Sequence, residues 1–320
     1  MSRTAQQDVG QVSVVVINYN GLARLQKALP SITALEGRPE IICVDNGSSD
    51  GSLELLAATE GVTLLKSPRP REKNFACNYG AQHATGRYIL LLDNDVVLTE
   101  PDILQRLIER YQSNADTGAI SLAYVNEGAT QSRGYGAPLG YYFIKEVPEL
   151  ALSEVMAKDA EAMAFPMGIA VFIEKELWQQ AGGYDDFLKF GGDDNDLGIR
   201  LQMMGRRNYL YAKGLQVHVG MSERADNALY ALKLKEMFFA HLYTVFKNYA
   251  LLNMLITLCG LSLFGLLKSL KQGLCRRSFS VFWAVFAGFL LFLKNLPHAS
   301  AKRRQIQAWR KVKEDVFLKS

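Results

Sequence analysis

Short apolar runs alternate with amphipathic stretches along the first third of the chain. Four of these runs have the length and the β-branched or aliphatic composition of strands that are buried on both faces. They are residues 12–17, 41–44, 62–65 and 88–92. Between and after them, apolar residues recur at helical spacing in stretches that begin near Leu22, Leu53, Asn74 and Pro101. The alternation predicts an α/β fold with a Rossmann-like, mostly parallel central sheet and helices on both faces.

Residues 126–161 interrupt this regular pattern. They show neither strand nor helix periodicity, which predicts a loop-rich insertion that could contact a substrate. A strand over residues 167–173 and a helix over residues 175–181 are predicted to follow.

Polar clusters follow three of the predicted strands at the point where each strand ends. They comprise residues 18–20, 45–48 and 93–95. Ligands bind at the carboxyl ends of parallel strands, so we expect these clusters to meet at one edge of the sheet. Asp93 and Asp95 would be costly beside a core without a cation, and a divalent metal that carries phosphate suits two carboxylates. Taken alone, Asp45 could equally be a residue that caps a turn or helix or one that contacts a ligand.

A second group of acids begins a helix that is predicted to follow a glycine pair. Asp193, Asp194 and Asp196 all lie in the first turn of this helix. Acids at a helix N-terminus are favoured by the helix dipole, so capping explains part of the cluster. Three acids in four residues exceed what capping requires, and one of them could act as a general base that faces the strand-end acids.

The last eighty residues are both apolar and basic. Residues 249–267 and 279–293 carry no charge, and as helices they would be about 28 and 22 Å long against a hydrocarbon core of about 30 Å. Basic residues lie between these segments and on their outer flanks, Lys247 among them. A hairpin that spans the membrane would place either the connecting or the flanking basic residues on the non-cytoplasmic side, against the positive-inside tendency. We therefore expect helices that lie in or dip into the cytoplasmic leaflet, with a spanning hairpin or a buried helical domain as alternatives.

The overall composition limits which classes of protein and which partners fit this chain. Hydrophobic residues make up 49% of the chain and charged residues 21%, which is enough for a large core. The net charge is +4, and no interleaved basic and aromatic pattern is present, so no nucleic-acid partner is expected. The four cysteines form no C-x-x-C pair, which argues against a zinc site or a disulfide framework. Residues 1–10 contain no apolar segment, so we expect no signal peptide and a cytoplasmic main domain.

Five motifs in a fixed order carry a more specific signal. They are Val-Ser-Val-Val-Val-Ile-Asn-Tyr-Asn-Gly at 12–21, Ile-Cys-Val-Asp-Asn-Gly-Ser-Ser-Asp-Gly-Ser at 42–52, Leu-Leu-Asp-Asn-Asp at 91–95, Gly-Gly-Tyr-Asp at 182–185 and Asp-Asp-Asn-Asp-Leu at 193–197. Together they resemble the family 2 glycosyltransferases of the GT-A fold, and more narrowly the rhamnosyltransferase-like enzymes of bacterial surface polysaccharide assembly. The resemblance extends over about residues 12–219. One departure is that a glycine common in the family before Phe75 is missing here.

The resemblance implies that the first strand ends bind a nucleotide-sugar donor. Tyr19 and Asp45 would lie at the nucleobase, and Asp93 would face the ribose and the sugar with Asn94 beside it.

The resemblance also implies the metal and the base. Asp95 and His218 would hold a divalent cation, Mg²⁺ or Mn²⁺, although a lone His between valines is also typical of a hydrogen-bonded core residue. Arg71 is our assignment for the diphosphate, with Lys73 as the alternative. The family's later Glu-Asp pair supplies the catalytic base from its second acid. The pair is Asp193-Asp194 here, so the resemblance implies Asp194 as the base.

The implied activity is an inverting, non-processive, metal-dependent transfer of a sugar from a nucleoside diphosphate sugar, with dTDP-rhamnose as the expected donor. The acceptor would be a hydroxyl of a polyprenyl-linked saccharide. A catalytically inactive sugar-nucleotide-binding or scaffold protein at the membrane is the alternative. Residues 1–240 would form the GT-A domain and residues 241–320 a membrane-associated helical region with C-terminal apolar helices. The expected location is the cytoplasmic face of the bacterial inner membrane.

Overall fold

The structure is a computed structural model of the chain. It describes residues 11–129, 131–133, 150–151, 153–154, 160–189, 191–219 and 226–318. Most of the predicted loop-rich insertion at 126–161 lies outside the described residues.

Eleven strands and ten α-helices are present in the described part of the chain. The strands are β1 (Val12–Asn18), β2 (Glu40–Asp45), β3 (Val62–Lys66), β4 (Tyr88–Asp93), β5 (Val96–Leu98), β6 (Thr117–Asn126), β7 (Gln131–Arg133), β8 (Leu150–Ala151), β9 (Ala160–Met163), β10 (Ala170–Glu174) and β11 (Arg207–His218). The helices are α1 (Leu22–Thr33), α2 (Ser52–Ala58), α3 (Lys73–His83), α4 (Ile103–Gln112), α5 (Lys175–Ala181), α6 (Asp193–Met203), α7 (Asn227–Asn248), α8 (Leu251–Arg276), α9 (Phe279–Lys294) and α10 (Leu296–Ala308).

One central sheet organises the first 219 residues, with the order β3-β2-β1-β4-β10-β6-β11-β5. The strands from β3 to β4 are parallel, and their register aligns Asn18 with Asp45 and Ile17 with Asp93. This register brings the ends of three strands, with their polar residues, to the same edge of the sheet.

The second half of the sheet is mixed, in contrast to the mostly parallel sheet that was predicted. Strand β10 runs antiparallel to β4 and to β6, and β11 is parallel to β6 but antiparallel to β5 and β9. The α/β class and the helices on both faces are confirmed. The direction of β10 could not be predicted because an apolar run signals burial but not strand direction.

Each face of the sheet has its own helical layer. Helices α1, α2 and α4 pack on one face, in a core that includes Val14, Val16 and Leu25. Helices α3, α5 and α6 pack on the other face, around Val15 and Ile17. Side chains alternate along β1 between the two cores, as expected for a strand buried on both sides. Consequently, α1 and α6 approach the polar edge from opposite faces.

The C-terminal helices form a further apolar cluster that is centred on α7 and includes Phe238, Tyr243 and Val285. The predicted boundary at 240/241 falls inside the continuous helix α7, so the tail shares a helix with the sheet domain. Helix α8 continues beyond the predicted end at residue 267 and carries Lys268 and Lys271. In the described residues, α8 is long and apolar enough to cross a membrane. Helices α9 and α10, which are bent by 66° relative to each other, are together also long and apolar enough.

Candidate functional site

Asn18, at the end of β1, connects the polar clusters of three strands. Its side chain is fully buried. Its amide nitrogen lies 3.2 Å from Asp45 Oδ1 and 2.9 Å from Ser52 Oγ, and its oxygen accepts a hydrogen bond from Asn94 Nδ2 at 2.7 Å. The three clusters therefore converge at one edge, as the sequence predicted.

Gly21 allows this close approach. A Cβ atom on Gly21 would lie 1.9 Å from Asn94 Nδ2 and 2.5 Å from Asn18 Oδ1, so no larger residue fits without movement. Asn94 itself is 6% exposed, and its amide is used by Asn18. Asn94 is thus held between the strand ends by Asn18, and its place in the donor site stays a prediction.

The carboxylate of Asp45 stabilises the turn that follows β2. It is 3% exposed, and Oδ2 accepts hydrogen bonds from the backbone N–H groups of Gly47 and Ser48 at 3.0 and 3.1 Å. Asp45 thus caps the turn, which was one of the two roles that the sequence allowed. The contact of Asp45 with the nucleobase stays a prediction. Tyr19 is 38% exposed at the same edge, with the Arg71 guanidinium 5.8 Å from its ring centroid.

Asp93 forms an ion pair with Lys73, the first residue of α3. The Lys73 ammonium lies 2.8 Å from Oδ1 and 2.9 Å from Oδ2 of Asp93. Burial raises the pKa of Asp93, and the Lys73 charge opposes that shift. Lys73, the sequence alternative for the diphosphate contact, is therefore bound to a carboxylate in this structure.

Asp95 and His218 meet where β5 pairs with β11. The register opposes His218 to Val96, and His218 Nε2 lies 3.3 Å from Asp95 Oδ2. Burial would raise the pKa of Asp95, but the hydrogen bond and charge of His218 outweigh it and hold that pKa below its usual value. His218 is partly exposed and contacts a carboxylate, which favours a site residue over a core histidine.

The Asp95 and His218 pair fits a metal that also binds phosphate. Asp95 Oδ1 is buried and has no hydrogen-bond partner, so an acceptor is available. Within the described residues, no group of three His, Cys, Asp or Glu side chains could hold a metal by itself. Mg²⁺ usually takes only one or two protein carboxylates and completes its shell with phosphate and water, so two protein ligands are compatible with a divalent ion.

Asp194 lies in the first turn of α6, after the left-handed glycines Gly191 and Gly192. Its Cβ is 3.5 Å from the Cβ position of Gly168, which precedes β10. Burial, followed by the charge of Asp193, raises the pKa of Asp194 to about 7. The charge of Asp193 also acts on Asp93 and Lys73, so Asp193 lies near this ion pair.

A buried ionic cluster joins α6 to the tail, and the sequence analysis missed it. Asp196 is fully buried and lies 2.8 Å from Arg200 and 3.0 Å from Lys247. Lys247 also binds Asp185, which accepts a hydrogen bond from Tyr243 at 3.0 Å. Asp196 is therefore structural, and Lys247, expected to be a membrane flank, is 0% exposed. In the sequence, only the position of Lys247 one helical turn after apolar residues such as Tyr243 could have suggested that its ammonium is a buried counter-ion.

Comparison with known proteins agrees with the geometry of this edge. Residues 13–165 match the family model described as glycosyl transferase family 2. Residues 13–165, just under half of the chain, are therefore similar to a glycosyltransferase family 2 domain. The matched part of this domain includes Tyr19, Asp45 and Asp95, but it ends before Asp194 and His218.

The chain is also similar to two proteins of polysaccharide biosynthesis. The chain is 30% identical over 215 residues to the succinoglycan biosynthesis protein ExoO of Rhizobium meliloti (strain 1021), covering 64% of this chain and 60% of that protein. It is 25% identical over 229 residues to the O-antigen biosynthesis protein RfbC of Myxococcus xanthus, covering 68% of this chain and 18% of that protein. The chain thus spans less than two thirds of the length of either relative.

Solved structures show the same GT-A fold. The mannosyltransferase PcManGT from Pyrobaculum calidifontis, in complex with GDP-Man and Mn²⁺, superimposes with a TM-score of 0.56 at 20% identity over 93% of this chain and 85% of that one. GalNAc-T7 with UDP, GalNAc and Mn²⁺ gives a TM-score of 0.57 at 16% identity over 75% of this chain and 48% of that one.

Proposed function

We propose that the protein transfers a sugar from a nucleoside diphosphate sugar to an acceptor hydroxyl, with inversion at the anomeric carbon. The observation that carries this proposal is the arrangement of two acid groups at one edge of the sheet. The Asp95 and His218 pair lies at the strand ends, and Asp194 lies in the first turn of α6 beside Asp193, whose charge acts on Asp93. A base and a metal-binding pair on two sides of one cleft are what a direct displacement requires.

The donor would bind along the strand ends. The exposed ring of Tyr19 offers a stacking surface to the nucleobase, beside the turn held by Asp45. The Arg71 guanidinium, 5.8 Å from the centroid of that ring, would contact the diphosphate. Asp95 and His218 would hold Mg²⁺ or Mn²⁺, which when bound neutralises negative charge on the diphosphate. The complexes of the two structural neighbours with Mn²⁺ support a divalent ion.

Asp194 would act as the general base. Its carboxylate takes the proton of the acceptor hydroxyl while that oxygen forms a bond to the anomeric carbon. The bond from this carbon to the diphosphate oxygen breaks, and the nucleoside diphosphate leaves with the electron pair. A pKa of about 7 suits the role, because a large fraction of the group is ionised at neutral pH and the carboxylate is basic enough to accept a proton.

We propose dTDP-rhamnose as the donor and a polyprenyl-linked saccharide as the acceptor in a single, non-processive transfer. The relatives in succinoglycan and O-antigen biosynthesis support a bacterial surface polysaccharide. The rhamnosyl assignment rests on the motif resemblance alone.

We also propose that the tail lies on the cytoplasmic face of the inner membrane. The hairpin of α8 and α9 exposes large apolar side chains, with Leu274 70% and Phe279 77% exposed, and Arg276 and Arg277 lie between them. Anionic vesicles should bind the wild type, while Leu274→Gln with Phe279→Gln should lose binding and Val316→Gln should keep it. Equal flotation of all three proteins would refute the interfacial assignment.

The decisive test is turnover of a panel of labelled nucleotide sugars, dTDP-rhamnose included, with MnCl₂ and with EDTA. The wild type should transfer one of these sugars only with metal, and Asp194→Asn should bind the same donor without transferring the sugar. Donor binding without turnover by the wild type would favour the inactive scaffold. Equal turnover by the wild type and Asp194→Asn would refute the assignment of the base.

A further inference from the structure

Arg24 is a cation at the site to which neither the motifs nor the proposed mechanism gives a role. It lies in the first turn of α1 and is partly buried. Its side chain makes no hydrogen bond and no ion pair with any residue that the structure describes. Lys27, one turn further along the same helix, lies 2.7 Å from Glu127. Among the described residues, therefore, the exposed Lys27 has a carboxylate partner and the partly buried Arg24 has none.

The position of Arg24 is set by the close packing of α1 against the Asp-Asn-Asp segment. Gly21 immediately precedes α1 and contacts the side chain of Asn94, which separates Asp93 from Asp95. The charge of Arg24 acts on Asp95 and on His218: it favours the ionised carboxylate and opposes protonation of the imidazole. Arg24 is thus an electrostatic neighbour of the pair that would hold the metal.

Two cations approach the Asp-Asn-Asp segment from opposite faces of the sheet. Lys73 belongs to α3, on the face that also carries α6, and it is bound to Asp93. Arg24 belongs to α1, on the other face. Lys73 is therefore already neutralised by Asp93, whereas Arg24 has no anionic partner among the described residues.

A guanidinium presents five N–H donors in a planar fork that matches the oxygens of a phosphate. Asp95 does not provide this partner, because its Oδ1 makes no hydrogen bond with any described residue. An anion that accepts hydrogen bonds from the Arg24 fork would supply the partner that Arg24 lacks among the described residues. The diphosphate of the donor is such an anion, and it gains negative charge when its bond to the sugar breaks.

We propose that Arg24 binds the diphosphate of the nucleoside diphosphate sugar, on the α1 side of the Asp95 and His218 pair. This inference rests on the proposed function. Arg24 would contact phosphate oxygens in the bound donor and in the departing nucleoside diphosphate, so it would contribute both to donor affinity and to turnover.

Calorimetric titration separates the diphosphate contact from the nucleobase contacts. With MnCl₂ present, the probes are dTDP, UDP and GDP, together with the nucleosides thymidine, uridine and guanosine. Arg24→Met should weaken binding of the preferred diphosphate by about 10- to 100-fold, as expected for charged hydrogen bonds, and should leave binding of its nucleoside unchanged. Lys27→Met is the matched control on the same helix and should leave both affinities unchanged.

The outcomes distinguish the two proposals. If the wild type binds none of the three diphosphates, the proposed function fails, and the role of Arg24 fails with it. If the wild type binds one of them and Arg24→Met binds it equally well, only the role of Arg24 is refuted. Equal weakening by Lys27→Met, or equal loss of nucleoside binding by Arg24→Met, would also refute it by indicating a long-range or structural effect. The melting temperature of each ligand-free variant verifies that it is folded.

Discussion

Lys247→Met should be far more destabilising than a typical lysine substitution. The ammonium of Lys247 lies between the carboxylates of Asp185 and Asp196, and Arg200 completes a buried group of two cations and two anions. Removing Lys247 leaves two buried carboxylates with one cation. The methionine side chain keeps much of the volume, so the change isolates the charge.

The expected loss follows from the burial of this group. Breaking a buried ion pair by removing one partner costs about 3–5 kcal/mol, because the remaining charge is left uncompensated. Although burial alone would raise the pKa of Asp185, the Lys247 charge holds that pKa well below its usual value. A lowered folded-state pKa stabilises the protein above the unfolded value, so the loss should be complete at neutral pH and shrink below about pH 4.

Urea denaturation in a mild detergent, followed by circular dichroism, measures this loss as a free energy of unfolding. The control is Lys27→Met, which removes an exposed ion pair with Glu127 and should cost about 0–1 kcal/mol. Adding Asp185→Asn to Lys247→Met restores the charge balance and should recover about 1 kcal/mol or more. If Lys247→Met costs no more than Lys27→Met, the buried ionic cluster does not stabilise the fold as described.

Two further predictions concern the site itself. Because the pKa of Asp194 is raised to about 7, its carboxylate is protonated below that pH, so kcat for sugar transfer should rise through about pH 7 and then level off. Asp193→Asn should move the inflection to lower pH by removing the neighbouring charge, and a flat profile would contradict the assignment of the base. Gly21→Ala places a methyl group against Asn94 and should cost about 1–3 kcal/mol of stability. Adding Asn94→Ala should restore part of this loss, and simple additivity of the two losses would argue against the contact.

The strand-end clusters could be predicted because two local signals agreed. Apolar runs located β1, β2 and β4, and parallel strands necessarily end at one edge, so Asn18, Asp45 and Asp93 had to converge. The meeting of His218 with Asp95 followed from the family motif, and the antiparallel pairing of β11 with β5 provides its structural reason.

The long-range ionic contacts could not be predicted in the same way. Lys73 and Asp93 are twenty residues apart, and Lys247 lies about fifty residues or more from its two carboxylates. Neither pairing has a periodicity or a motif. A basic residue beside an apolar segment is a membrane flank in most sequences, so Lys247 was assigned to the membrane. Only the packing of α7 against α6 shows that it is an internal counter-ion.

The hydrogen bonds around Asn18 have a consequence for the thermodynamics of ligand binding. The side chains of Asp45, Ser52 and Asn94 are fixed by hydrogen bonds to Asn18, within the protein itself. Immobilising a free side chain on binding costs about 0.5–1.5 kcal/mol of conformational entropy. Folding has already ordered these three groups, so a nucleotide that contacts this edge loses little affinity to ordering it. Binding of a nucleotide at this edge should therefore show only a small unfavourable entropy from the ordering of protein side chains.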